Sequence, residues 1–232
     1  MDTPVSFDPT VGTLVLTYAR RVVARGHVHN TLGNLAVRVP HPAFEHGVVY
    51  TKHAGVSLEE MTLENVVVTD VPTGRLLHGT VPPSVGHQLN REILRLRPEV
   101  HGVIHVHQDD TIALLASRAV KDIRVLSAEF PYVMGLPPHV LPSHINVELD
   151  VEPIKDFIAH TNAIVMENHG LTTLGRTLSE AYHRLNTLAS EVKRILAAEQ
   201  LAAVRGTEVQ YLDQASVDWA YRHADEVIYP TR

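Results

Sequence analysis

The spacing of apolar residues along the chain changes repeatedly between the period of a helix and the period of a strand. Apolar residues three and four positions apart predict a helix over 9–25, which Gly26 ends. The same spacing predicts further helices over 84–96, 110–118, 152–160 and 178–204. Short apolar runs between turn residues predict strands over 35–39, 48–51, 65–71, 76–81, 101–107, 123–126, 139–141, 163–166 and 171–174. Strands placed between flanking helices predict a layered α/β fold.

Composition narrows the classes of protein that this chain can represent. The 232 residues, 44% hydrophobic and 20% charged, predict one globular domain over 1–232 with a helical tail from about 205. A net charge of −6 without a basic stripe argues against nucleic-acid binding. The absence of cysteine excludes disulfides, thiolate nucleophiles and Cys-ligated metals. With no bilayer-length apolar run and no signal peptide, we expect a cytoplasmic protein without a membrane partner.

The strand over 101–107 carries two histidines two positions apart, His105 and His107. Alternate residues of a strand point to the same face, so both imidazoles would lie roughly 6–7 Å apart on one side of the sheet. Two nitrogens at that separation can reach one cation. A pair of half-buried strand histidines is the competing interpretation of the same pattern.

Further polar motifs lie at turns on either side of this strand. They are Gly33-Asn34, Lys52-His53-Ala54-Gly55, Pro83-Ser84-Val85-Gly86, Arg97-Pro98-Glu99 and Asn168-His169-Gly170. In this order and spacing, over roughly residues 10–200, the motifs resemble those of the class II aldolase/adducin family.

The resemblance implies an α/β fold of a particular kind, a three-layer α/β/α sandwich with a mainly antiparallel, mixed central sheet. It also implies that His105, His107 and His169 hold one divalent transition metal. Three imidazoles leave coordination positions open and favour Zn²⁺ or Mn²⁺, with Fe²⁺ or Co²⁺ as alternatives. By the same resemblance we expect a homotetramer with its active site between subunits.

Three positions depart from the pattern of the sugar-phosphate enzymes in this family. Gly86 stands where those enzymes carry the glutamate that moves a proton. Ala54 and Val85 replace small polar residues that bind the substrate phosphate, and only Asn34, Gly55 and Ser84 remain. Two lost hydrogen bonds to a charged group, each worth about 1.5–3 kcal/mol, make phosphate recognition doubtful.

A metal site without a carboxylate favours decarboxylation, since loss of CO₂ needs no base at carbon. We therefore predict a metal-dependent decarboxylase of a non-phosphorylated hydroxy-carboxylate, including aromatic or heteroaromatic dicarboxylates. The alternatives are a metal-dependent aldolase or epimerase acting on a sugar or sugar phosphate, and a non-catalytic assembly domain of the adducin type. A hydrolytic zinc enzyme is disfavoured because the H-E-x-x-H motif is absent.

Two residues are candidates for donating the proton that decarboxylation requires. His87 follows Gly86 at the start of a helix, and Glu129 follows the strand predicted over 123–126. Substrate binding is assigned to the motif residues. These are Asn34, Lys52, Gly55, Ser84 and Gly86, of which Lys52 would pair with a substrate carboxylate.

Overall fold

In the computed structural model, which describes residues 5–117 and 122–227, eight strands form one sheet in the order β4-β3-β2-β1-β5-β8-β7-β6. The strands are β1 (Asn34–His41), β2 (Phe44–Lys52), β3 (Val66–Asp70), β4 (Leu76–His78), β5 (Gly102–Val106), β6 (His139–Leu141), β7 (Ala163–Met166) and β8 (Gly170–Gly175). Every neighbouring pair is antiparallel except β6 and β7. The mainly antiparallel, mixed sheet predicted for this chain is confirmed.

Helices cover both faces of the sheet. The α-helices are α1 (Pro9–Ala24), α2 (His87–Leu96), α3 (Asp109–Ala116), α4 (Glu129–Met134), α5 (Leu178–Arg205), α6 (Gln214–Arg222) and α7 (Ala224–Val227). Side chains of α1, α3, α4 and α5 share one apolar core with one face of the sheet. Helix α2 and two 3₁₀ turns, Glu152–Asp156 and Ile158–His160, share a second core with the other face. The architecture is therefore the predicted three-layer sandwich.

Strand β5 contributes to both cores because its side chains alternate between the two faces. Ile104 and Val106 belong to the core beneath α1 and α5, whereas Val103 belongs to the core beneath α2. His105 follows the same alternation and lies on the α2 side, with 1% of its surface exposed.

Several predicted boundaries were wrong. The helix predicted over 84–96 begins at His87 with Gly86 as its N-cap, so Ser84 does not cap it. The helix predicted over 152–160 is the pair of 3₁₀ turns described above. Helix α4 was not predicted.

The segment 123–126 was predicted to be a strand, and the structure shows no strand there. A buried carboxylate takes the place of a neighbouring strand, since the amides of Leu126 and Ser127 donate to Glu191 Oε1 at 2.6 and 2.9 Å. The carbonyl of Val125 accepts from the amide of Leu212. This segment therefore packs through hydrogen bonds that no hydrophobic pattern reveals.

Among the residues that the structure describes, no helix has the length and apolarity needed to cross a bilayer.

Candidate metal centre

Strand register brings the polar residues of three strands together at one end of the sheet. His105 on β5 lies directly opposite Asn34 on β1 and directly opposite Thr172 on β8. His107 directly follows β5, and its ring centroid lies 4.9 Å from that of His105. The two histidines of the motif are therefore adjacent, as the strand period predicted.

His169 reaches the same place from the turn between β7 and β8. Asn168 adopts a left-handed conformation (φ 58°), and Gly170 has φ 155°. A side chain at Gly170 would overlap β5, because a Cβ there would lie 2.2 Å from the carbonyl oxygen of Val106. Glycine thus lets the turn approach β5, and the His169 ring lies 4.7 Å from that of His107.

A carboxylate that sequence analysis did not identify completes the cluster. Glu148 lies in the loop after β6, with its Oε2 3.0 Å from His169 Nε2 and its Oε1 3.6 Å from His105 Nε2. The loop is anchored by Val147, which is fully buried in the α2-side core, and by Asn146 Oδ1, which accepts from the amide of Glu148. The carboxylate is therefore held from a fixed piece of backbone.

Glu148 occupies the space that a side chain at position 86 would need. A Cβ on Gly86 would lie 1.8 Å from Glu148 Oε1 and 2.8 Å from Asn34 Nδ2. The absence of a carboxylate at Gly86 had suggested a site without an acid–base group. The structure corrects that inference, because the carboxylate arrives from a different loop.

Electrostatics prepare the cluster to bind a cation. Burial lowers the pKa of His105 to about 4 and also lowers the pKa of His107, so both imidazoles are neutral at pH 7. Burial opposes ionisation of Glu148, but its hydrogen bond to His169 and its proximity to the imidazoles outweigh burial and lower its pKa to about 2. Neutral imidazoles and an ionised carboxylate are the forms that metals bind.

The donor set fits a divalent transition metal. One ligand atom from each of His105, His107, Glu148 and His169 lies within 4.8 Å of all the others. His105 Nε2 is buried without a hydrogen-bond partner, while its Nδ1 lies 3.0 Å from Thr172 Oγ1. With the ring proton on Nδ1 and shared with that hydroxyl, Nε2 directs a lone pair into the cluster.

Asn34 lies beside the cluster, and a buried partner fixes its amide. Asn90 on α2 is fully buried and donates from Nδ2 to Asn34 Oδ1 at 2.5 Å. This leaves Asn34 Nδ2 on the side of Glu148, where a donor is favoured next to a carboxylate. Sequence analysis did not identify Asn90, whose place one turn into α2 was the only signal.

Comparison with known proteins identifies the family of this chain. The family model for the class II aldolase and adducin N-terminal domain matches residues 13–196. The chain belongs to the class II aldolase and adducin family. The predicted resemblance is confirmed, and with it membership in a family whose enzymes are metal-dependent lyases.

Individual relatives of this class II aldolase family member carry several activities in their names. A methylthioribulose-1-phosphate dehydratase of Enterobacter sp. (strain 638) is 27% identical in a 189-position alignment that covers 76% of this chain and 89% of that protein. YgbL of Klebsiella pneumoniae, a putative aldolase/epimerase/decarboxylase, superposes with a TM-score of 0.78 at 19% identity, over 93% of this chain and all of YgbL. An L-fuculose 1-phosphate aldolase of Glaciozyma antarctica PI12 superposes with a TM-score of 0.73 at 18% identity, over 95% and 86% of the two chains. The two structures support the fold.

His87, predicted as a proton donor, lies in the interior of this class II aldolase fold. Its ring is 4% exposed, and its Nε2 lies 2.7 Å from Thr69 Oγ1 on β3. Burial, together with the charge of Arg91, lowers its pKa to about 3. The structure therefore places His87 between α2 and the sheet, bonded to Thr69, and its role as a proton donor stays a prediction.

Glu129, the other predicted proton donor, lies outside the cluster. It is the first residue of α4, its side chain is 55% exposed, and its carboxylate lies 3.1 Å from Arg194 Nη1. The prediction placed it after a strand that the structure does not contain, and Glu148 is the carboxylate that reaches the histidines.

The remaining predicted binding residues lie in two loops that touch each other. His53 forms an isolated β-bridge with Pro83, and the amide of Ala54 donates to the carbonyl of Pro82. Gly55 (φ 83°) and Ser84 belong to these loops, and Ser84 Oγ is buried without a partner. The structure therefore brings Asn34, Gly86 and the cluster together, with the loops of Gly55 and Ser84 side by side.

Lys52 does not offer its charge to a ligand. Its side chain is 1% exposed, and Nζ donates to the carbonyls of Thr31 at 2.6 Å and Val56 at 2.7 Å. The ammonium group therefore joins the loop before β1 to the loop after β2, and these contacts argue against the predicted role as an anchor for a substrate carboxylate.

Lys52→Met is expected to lower the free energy of unfolding by about 2 kcal/mol, because two carbonyls lose their donor. Burial lowers the pKa of Lys52 to about 8. Lysine in the unfolded chain has a pKa of about 10.4, so between about pH 8 and pH 10.4 the unfolded chain binds more protons at Lys52 than the folded protein does. The free energy of unfolding of the wild type therefore increases as pH rises through this range. Urea unfolding of both proteins at pH 7.5 and 9.5 should show a larger deficit at the higher pH. A deficit that does not grow with pH would mean that Lys52 stays charged in the folded protein over this range.

Proposed function

We propose that this protein is a metal-dependent lyase of β-hydroxycarbonyl compounds in which the Glu148 carboxylate transfers the proton. The observation that carries the proposal is the position of Glu148, 3.0 Å from His169 and in the space of the missing side chain at Gly86. A carboxylate there supplies the acid–base group that carbon–carbon cleavage requires and decarboxylation does not.

Each residue of the site has its own role in the proposed cleavage. A divalent ion, proposed as Zn²⁺ or Mn²⁺ on His105, His107 and His169, would polarise the substrate carbonyl when bound. The Glu148 carboxylate takes the proton of the β-hydroxyl, the bond between the α and β carbons breaks, and its electron pair passes to the carbonyl group. A proton then returns to the α carbon. Asn34 Nδ2 donates a hydrogen bond to the oxygen that gains charge.

Dehydration of the same class of substrate is the second candidate. The methylthioribulose-1-phosphate dehydratase that matches 76% of this chain favours it. In that reaction a carboxylate takes the proton from the α carbon, the bond between the β carbon and its hydroxyl breaks, and the carboxylic acid so formed returns the proton to the leaving oxygen, which departs as water. Glu148 is placed for either role, because both reactions start from a base beside the histidine cluster.

Decarboxylation of a hydroxy-carboxylate was preferred from the sequence because no carboxylate had been found at the site. Glu148 removes that reason. The YgbL description includes decarboxylation among three activities. Decarboxylation is therefore tested as a competing reaction in the same assay.

A single assay separates these reactions. Metal-loaded protein would be incubated in D₂O with β-hydroxyaldehydes, β-hydroxyketones and hydroxylated aromatic dicarboxylates, and the products followed by NMR. Two carbonyl fragments, with deuterium at the former α carbon, are expected for cleavage. One dehydrated, α,β-unsaturated carbonyl product would favour the second candidate, and CO₂ release without either product would overturn the proposal. Protein that purifies without metal and binds none would favour the adducin-type alternative.

Asn90→Ala is expected to lower kcat about tenfold, which corresponds to losing one hydrogen bond of about 1.4 kcal/mol that holds Asn34. Asn90 itself would touch neither metal nor substrate, so the metal content and KM should change little. Kinetics and metal analysis of the purified variant provide the measurement, and Asn90→Gln, which keeps an amide, should recover part of the rate. An unchanged kcat in Asn90→Ala would show that Asn34 needs no such support.

A further inference from the structure

Three exposed apolar side chains belong to chain segments that reach the histidine–carboxylate cluster, and we name them the apolar rim. Leu32 is 42% exposed, Val85 is 71% exposed and Leu149 is 68% exposed. Large apolar side chains standing in water beside a polar site are informative, because scattered ones need no explanation but grouped ones mark contact surfaces.

The rim residues are grouped because their chain neighbours meet at one point. A Cβ on Gly86 would lie within 3 Å of both Glu148 Oε1 and Asn34 Nδ2. Val85 precedes Gly86 and Leu149 follows Glu148, so each Cα lies one step of about 3.8 Å from a residue at that point. Leu32 lies two residues before Asn34. The backbone of the rim residues therefore adjoins the cluster on the sides of Asn34, Gly86 and Glu148.

Several groups that could hold a phosphate in this region are absent or already engaged, while Ser84 Oγ and Asn34 Nδ2 remain as donors. Positions 54 and 85 are alanine and valine and offer no hydroxyl. The first two amides of α2, those of His87 and Gln88, donate to the carbonyls of Ser84 and Val85. The ammonium of Lys52 is bound by two carbonyls. A dianionic group would have to be desolvated here with few donors in return.

We propose that the apolar rim binds an apolar portion of the substrate, so that the protein acts on compounds carrying an aryl or alkyl substituent in place of a phosphate. The proposal rests on the proposed function, because it assumes that the substrate carbonyl lies at the histidine–carboxylate cluster. The substituent would extend from the carbonyl end toward Val85 and Leu149, and its transfer out of water supplies the binding energy.

Three hydroxamates with the same chelating group test this proposal without turnover. Acetohydroxamate, benzohydroxamate and phosphoglycolohydroxamate would be titrated calorimetrically into Zn²⁺-loaded protein and into chelator-treated protein. Benzohydroxamate is expected to bind about tenfold more tightly than acetohydroxamate, as burial of on the order of 60 Å² of apolar surface would give. Phosphoglycolohydroxamate is expected to show no advantage over acetohydroxamate.

The double variant Val85→Ser/Leu149→Ser assigns that preference to the rim. It should bring the affinity for benzohydroxamate down to that for acetohydroxamate and leave the latter unchanged. Val204→Ser, at an 85% exposed position near the end of α5, is the matched control and should bind like the wild type.

The outcomes separate the two proposals. If phosphoglycolohydroxamate binds most tightly, or if all three hydroxamates bind equally, the proposal for the apolar rim is wrong. The proposal for the metal site is not affected by that result. A double variant that changes the sedimentation coefficient but not the ranking would assign the rim to contact with a second copy and would also overturn it. If the hydroxamates show the expected ranking but the NMR assay shows no lyase product, the proposal for the apolar rim is kept and the proposed reaction is rejected. If no hydroxamate binds the metal-loaded protein, the common site of both proposals is wrong.

Discussion

Glu148→Gln is expected to lower kcat by about 10²–10⁴-fold, the range that a positioned general acid–base group contributes. The amide keeps the size of the side chain but cannot accept the substrate proton, so KM should change far less than kcat. Steady-state kinetics on the substrate identified by NMR, together with metal analysis, measure both quantities. We expect the variant to retain its metal, since His105, His107 and His169 provide three ligands without Glu148.

Moving the carboxylate back to position 86 tests the same assignment from the opposite direction. Gly86 has helical backbone angles (φ −63°), so a glutamate is compatible with the chain there. Glu148→Ala removes the side chain that a Cβ at position 86 would meet at 1.8 Å. The double variant Gly86→Glu/Glu148→Ala should therefore recover at least about tenfold in kcat over Glu148→Ala, a gain of about 1.4 kcal/mol in transition-state stabilisation.

The single variant Gly86→Glu is the matched control for this exchange. With Glu148 still in place, two carboxylates would compete for one space, and lower thermal stability is expected. If Glu148→Gln retained full activity, or lost its metal together with its activity, the carboxylate would not be the proton-transfer group. In the second case Glu148 would instead be a metal ligand.

The histidine pair was predictable because it depends only on local geometry. A two-residue spacing on an apolar strand places His105 and His107 on one side, whatever the rest of the fold does. His169 could be predicted as a third metal ligand only from the order of motifs in a known family, because a histidine beside Gly170 does not by itself indicate a metal site. The antiparallel sheet was likewise predicted from family resemblance and confirmed by the strand order.

Glu148 was not predictable from the same information. It lies in an irregular loop, more than forty residues from His105, and its position depends on how Val147 packs beneath α2. The available signal was indirect, because a glycine at position 86 leaves a space that another part of the chain must fill. Sequence alone did not say which carboxylate would fill it.

Burial separates two predicted site residues from the cluster. His87 follows one sequence motif and Lys52 begins another, and sequence position gave both a predicted role in chemistry. In the folded chain each is at least 95% buried and bonded to neighbouring protein groups. A polar residue in a functional motif can thus serve to hold the loop in place, and only tertiary packing distinguishes that role from catalysis.

Loss of the metal is expected to lower kcat by about as much as loss of the Glu148 carboxylate. His169→Ala should lower metal affinity at least 100-fold and turnover about 1,000-fold, the equivalent of about 4 kcal/mol of charge stabilisation. His169 is the informative position because its side chain is 19% exposed on a turn, whereas His105 is buried in the central strand. A folded variant is therefore expected, and circular dichroism checks it.

Thermal unfolding gives a measure of metal binding that does not depend on activity. Zn²⁺ at about 100 times its Kd should stabilise the wild type by about 2.7 kcal/mol, and the gain should fall to about 0.4 kcal/mol or less in His169→Ala and disappear on chelation. His46→Ala provides the histidine control, because His46 lies on β2 beside the β1–β2 hairpin, the opposite end of that pair from Asn34. It should keep both the metal and the thermal shift. Equal shifts in wild type and His169→Ala would place the metal elsewhere, and the role of the histidine–carboxylate cluster in catalysis would have to be abandoned.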